Sequence, residues 1–152
     1  MKKFFLFVFL MTSVFSFSQN LSEFRALMQK GESSETVAKS LLAKSKAEYD
    51  KTKLPIYEAL AAVGHFFMAK HGGNPISKYS HFNKGKKLLS EAIKKEPKNL
   101  EIRFMRYICQ EKTPGFLGYK DNLEEDKKFI LSEYKNTKDE NLKTYIKNYF
   151  KL

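Results

Sequence analysis

The sequence has no tryptophan, a single cysteine and only three arginines among its 28 basic residues. Each scarcity removes something. One cysteine, Cys109, can close no internal disulfide and supplies no Cys-pair zinc site. Arginine is the side chain that reads bases and grips phosphates with two hydrogen bonds at once. Arg25, Arg103 and Arg106 against 25 lysines therefore argue against a nucleic-acid partner, although lysine alone can neutralise phosphate. Glycine and proline are sparse, at seven and four, and no glycine-rich phosphate loop occurs. Neither His-Glu-x-x-His nor Gly-x-Ser-x-Gly is present. No catalytic residue, metal ligand set or cofactor is assigned, and the chain is expected not to be an enzyme.

What is present begins with Met1-Lys2-Lys3, a mostly apolar run from Phe4 to Phe17, and then Ser18-Gln19. A basic start, a short apolar stretch and small residues at a cleavage point are the parts of a secretory signal peptide. The run is short of the roughly 20 residues that a bilayer demands, and no second apolar run of that length follows. The expectation is a leader of residues 1–18 and a single helical domain over residues 19–152 with no integral membrane span. The protein would be exported, periplasmic in preference to fully secreted. Cys109 lies far from the cleavage point, so no lipid anchor is expected. Its neighbours Met105, Tyr107 and Ile108 suggest a small buried hydrophobe, with an intermolecular disulfide or a reactive thiol as the alternative.

The formal charge of +11 falls to +9 without Lys2 and Lys3, and it is unevenly spread. Residues 19–69 carry seven basic and six acidic groups, residues 70–98 eight and two, and residues 99–152 eleven and nine. The positive field is thus seated on one segment, 70–98.

Apolar residues recur at three and four through the whole of residues 19–152, which predicts about seven helices and an all-α fold of antiparallel neighbours. The first carries Leu21, Phe24, Leu27 and Met28 and stops near Gly31. Ser34 is the expected cap of the second, and Pro55 suits the first position of the third, which Gly72-Gly73 ends. After a turn at Asn74-Pro75, the fourth holds Tyr79, Phe82, Gly85, Leu89 and Ala92 and stops at Pro97. Asn99 caps the fifth. The apolar loop Phe116-Leu117-Gly118-Tyr119 is expected to tuck beneath its neighbours. Asn122-Leu123-Glu124-Glu125 reads as a capping box for the sixth helix, and Asp139 as the cap of the seventh.

Helices three and four together resemble one tetratricopeptide repeat. The family's large, large-Gly, aromatic, small, large, Ala and Pro pattern falls on Leu60, Val63-Gly64, Phe67, Gly85, Leu89, Ala92 and Pro97. The resemblance implies stacked helix pairs with a concave face that binds peptides or protein surfaces. Two departures stand beside it: the flanking pairs lose the small-residue marks, and the segment from His71 to Phe82 exceeds the family's turn by about nine residues. An irregular helical bundle is the competing reading.

Tyr79, His81, Lys84, Lys87, Lys94 and Lys95 lie within the basic segment as candidate partner-binding residues, and the lysines share the face of the fourth helix opposite Phe82, Gly85 and Leu89. That face is either simply solvated or a contact for a protein or another acidic envelope component. Arg103 and Arg106 are candidate partner-binding residues or structural ion-pair formers, with Glu101 nearby. His71 and His81 flank the expected long turn and could approach each other. With His65, they are the basis of the alternative reading, a small-ligand or metal-dependent hydrolytic protein. The cluster Asp121, Glu124, Glu125 and Asp126 suits the positive end of the sixth helix better than acid-base chemistry. The leading expectation is a non-enzymatic, exported helical-repeat protein, an adaptor or assembly factor of the cell envelope. Its oligomeric state is open, and a self-assembling module is a third possibility.

Overall fold

The computed structural model describes residues 21–152; the expected leader lies outside them. Among the described residues there are seven α-helices and no strand. They are α1 (residues 21–31), α2 (Glu35–Thr52), α3 (Pro55–His71), α4 (Pro75–Lys95), α5 (Leu100–Lys112), α6 (Leu123–Glu133) and α7 (Glu140–Phe150). One 3-10 turn, Gly115–Leu117, joins α5 to α6. The fold is all-α, a bundle of packed helix pairs compatible with a helical repeat.

The helix starts follow from local chemistry. The Ser34 hydroxyl accepts from the Val37 amide, the Asn99 side chain from Glu101 and Ile102, and the Asp139 carboxylate from Leu142. Such caps satisfy amides that have no partner inside the helix and are each worth about 1 kcal/mol. Asn122 differs from expectation. It makes no side-chain cap bond to α6; its amide oxygen accepts from Gln110 Nε2 at 3.4 Å and its backbone N–H donates to Gln110 Oε1 at 3.2 Å. Gln110 is fully buried, and a buried amide left unpartnered costs more than a missing cap.

Antiparallel α3 lies between α2 and α4, and two glycines set the spacing. A methyl at Gly64 would lie 2.9 Å from the Leu42 Cα on α2, and one at Gly85 would lie 2.9 Å from the Phe66 ring and 3.1 Å from the Ala62 carbonyl on α3. Both helices approach to backbone contact there, as the small-residue pattern requires. Leu60, Val63, Leu89, Ala92, Ile102, Met105, Ile130 and Ile146 are wholly buried in one apolar cluster that spans α3 to α7 and takes in Leu21, Phe24 and Met28 from α1.

The segment from His71 to Phe82 is not a long turn. α3 ends at His71 and α4 begins at Pro75, with the Asn74 side chain accepting from the amides of Ile76 and Ser77. Residues 75–80 are helical yet all exposed. In this overhang Tyr79 stands on the fourth helix, as its spacing from Phe82 predicts, and the long turn expected between His71 and Phe82 is the first part of that helix.

Buried charge ties the last helices together. Arg25 donates from Nε and Nη2 to the two carboxylate oxygens of Glu101, both at 2.7 Å, and also reaches Asp139 at 2.7 Å and Asn141 at 2.8 Å. This joins α1, α5 and the start of α7. Burial works against the Arg25 charge, but Glu101 and Asp139 outweigh it and hold its pKa above the usual value. Between α5 and α6, Asp126 is completely buried and accepts from Arg103 at 2.6 Å and from Arg106 at 2.6 and 2.8 Å.

Candidate functional site

The overhang of α4 does not stand alone. The last turn of α5 ends at Thr113, whose hydroxyl donates to the Cys109 carbonyl at 2.7 Å. Pro114 stops the helix, and the 3-10 turn carries the chain outward. Gly118 then adopts a left-handed φ of 60°, a conformation cheap only for glycine. The reversal brings Tyr119 back to stack on Phe66, with ring centroids 5.6 Å apart, and edge-on to Phe82 at 5.9 Å. Between the α4 overhang and the 3-10 turn lies a groove of about 680 Å³.

Phe66, Phe67 and Ala69 of α3, Phe82 of α4, and Ile108 and Cys109 of α5 line this groove, and Tyr79 and Phe116 stand at its mouth. Tyr79 is 64% exposed and Phe116 87%. The loop from Phe116 to Tyr119 was expected to tuck away as a whole. Leu117 and Tyr119 are half-buried, but Phe116 is left in water. Lys70, Lys78, Lys112 and Glu32 are the charged residues of the lining. Burial opposes the Glu32 charge, but Lys112 at 3.3 Å and Lys70 at 3.4 Å prevail and hold its carboxyl below the ordinary value. No carboxylate among the described residues pairs with Lys78. Cys109 is a free, buried thiol, and burial pushes its pKa well up, so it behaves as a small hydrophobe in the groove wall.

Of the candidate partner-binding residues singled out from sequence, the structure brings only Tyr79 to this groove. Lys84 and Lys87 are exposed on α4. Lys94 pairs with Glu91 at 3.2 Å, and Lys95 with the buried carboxylate of Glu58 at 2.7 Å and with the Tyr49 hydroxyl at 3.0 Å. Those hydrogen bonds to Glu58 and Tyr49 raise the Lys95 pKa. Arg103 and Arg106 are committed to Asp126, Arg103 also to Glu125 at 2.6 Å and to the face of the Phe129 ring. Glu101 pairs with Arg25 rather than with either of them. Sequence reasoning missed Lys70, Lys78, Lys112 and Phe116. The readable signal was the unbroken apolar loop after Pro114 facing the basic, aromatic start of α4.

His81 does not approach His71. Its Nδ1 lies 2.8 Å from Nδ1 of His65, while His71 Nε2 is bonded to the Gly31 carbonyl at 2.9 Å. Helical pitch explains the pairing, since α3 and α4 run antiparallel from a three-residue turn and place residue 65 beside 81. One Nδ1 must donate and the other accept, so the pair cannot hold a proton on both. Burial, then His81, Lys84 and Lys46, lower the His65 pKa to about 4. Burial and Lys84 lower that of His81. Among the described residues no group of three or more His, Cys, Asp or Glu is placed to hold a metal ion, and no helix is long and apolar enough to cross a membrane.

Comparison of the chain with family models, with curated proteins and with solved structures yields no match. The functional reading therefore rests on the geometry of the groove.

Proposed function

We propose that this protein is a non-enzymatic helical binding module, an exported adaptor or assembly factor of the cell envelope, and that the groove at the α3–α4 turn receives its partner. One observation carries the reading. Two large rings, Tyr79 and Phe116, are held in water at the mouth of an apolar groove of about 680 Å³. Aromatic residues at the centre of an interface supply most of the binding energy in many complexes, and exposed apolar surface that is continuous with a groove, unlike a lone exposed side chain, marks an interaction site. The close contacts at Gly64 and Gly85 support the finer reading of tetratricopeptide-like helix pairs. The apolar run at residues 4–17 supports export.

Capture from an envelope fraction tests this, with residues 19–152 as bait beside a Tyr79→Ser/Phe116→Ser double variant. The expected result is a partner retained at low and moderate salt by the first and lost by the second. Partners shared equally by both baits, or none at either salt, would count against it.

A second reading has its own support, because the volume lies within the roughly 300–1,000 Å³ of small-molecule sites. A thermal-shift screen addresses it, since a ligand at 100 times its dissociation constant stabilises by about 2.7 kcal/mol. The histidine-centred hydrolytic alternative gains no geometric support, because His71 lies apart on the Gly31 carbonyl.

A further inference from the structure

We infer that the groove takes a peptide segment in which an aromatic or aliphatic side chain is flanked by aspartate or glutamate. This rests on the binding function proposed above and gives it a chemistry. The apolar part of the occupant follows from the floor, where Phe66, Phe82 and Ile108 leave no polar side chain to satisfy. Its acidic part follows from the charge around the mouth. Three lysines line the groove against one carboxylate, Glu32, which is already shared between Lys70 and Lys112. Lys78 stands beside Tyr79, and no carboxylate among the described residues meets it. The two acids of the basic segment stand at the far end of α4, Glu91 about 20 Å along the helix from Lys78 and Glu96 at its C-terminal cap, where they meet Lys94 and Asn99. The surplus is positive and next to an apolar pocket, so an apolar anchor beside carboxylates matches both features at once.

Exposed hydrophobes among lysines also suit an anionic bilayer, and Ile76, 81% exposed on the same overhang, adds to that pattern. Concavity decides between them. A lipid surface could cover the rim but would leave the floor at Phe66 and Ile108 unfilled, whereas a side chain on a peptide enters it.

The test is a selection of short random peptides displayed on phage against immobilised residues 19–152, repeated on the Tyr79→Ser/Phe116→Ser double variant. Both rings stand in solvent, so the variant keeps its fold. Recovered sequences are expected to carry an aromatic or aliphatic residue with Asp or Glu within about one helical turn. Synthetic copies should bind the double variant about tenfold more weakly. Lys78→Glu should cost about fivefold at low salt and less at high salt. Basic or wholly polar peptides that still need the two rings would overturn the acidic chemistry while leaving the binding function standing. Equal recovery on both proteins, or no binding of any probe, would overturn the inference and remove the groove from the proposed function as well. Sedimentation onto phosphatidylglycerol vesicles that requires Tyr79 and Phe116, with no peptide recovered, would overturn it in favour of a lipid surface.

Discussion

The two ends of α5 treat charge in opposite ways. At the N-terminal end Glu101 is clamped by Arg25, itself 1% exposed and shared with Asp139 and Asn141. At the C-terminal end Ile108, Cys109 and Lys112 open into the apolar groove, where the lysines outnumber the acids. Arg25 and Arg103 are buried and Arg106 is half-buried, each held by at least two bonds to carboxylates, while lysines crowd the exposed face of α4. A planar guanidinium keeps its charge and loses little on being fixed between carboxylates, while a flexible ammonium is best left hydrated. The difference separates what holds the helices from what is left available to a partner.

The largest expected effect lies at the clamped end. Arg25→Ala strands the Glu101 and Asp139 carboxylates, and loss of one partner from a buried pair costs about 3–5 kcal/mol. Urea unfolding should show that loss. A change below about 1 kcal/mol would mean that the clamp is ornamental and the contrast between the two ends false. Next in size is Gly64→Ala, which drives a methyl to 2.9 Å from the Leu42 backbone. Backbone cannot yield as a side-chain tip can, so about 1–3 kcal/mol should be lost. An unchanged melting temperature would show that α2 and α3 have room to separate.

Acid should act on a third region, the contact between α3 and α4. The His65 pKa falls from 6.5 to about 4 on folding, so between those values the unfolded chain binds the extra proton. The stabilising contribution is whole above about pH 6.5 and drains away as pH falls towards 4. Allowing for screening by solvent, it amounts to about 2 kcal/mol. His65→Phe should flatten that part of the stability profile, measured by urea unfolding from pH 7 to pH 4. A profile as steep as that of the wild type would remove the His65–His81 pair from the account.

Much of this fold was legible because buried helices print their period in the sequence. Ser34, Asn99, Asp139 and Pro55 marked helix starts for local chemical reasons, and Gly64 and Gly85 marked close approach. The overhang of α4 was half legible: Tyr79, three residues before Phe82, marked it as helix, but Asn74-Pro75, read as a turn, is the helix cap and first residue itself, so the expected long turn does not exist. Asn122 misled because Gln110 is 12 positions away along the chain and its burial is a tertiary fact. The site was only half readable for the same reason. Tyr79 announced itself beside the lysine run, but its pairing with Phe116, Lys70 and Lys112 depends on where the α5 terminus meets the α3–α4 turn. Composition likewise could not tell that the three arginines, beside 25 lysines, were the ones held by carboxylates between the helices.

The most direct test of the distinction between the ends is urea unfolding of the Tyr79→Ser/Phe116→Ser double variant. If the open end serves a partner and not the fold, the unfolding free energy stays within about 0.5 kcal/mol of the wild type, as for surface substitutions generally. A loss of about 2 kcal/mol or more, comparable with burying a large apolar side chain, would show that the two rings belong to the core and would contradict the account.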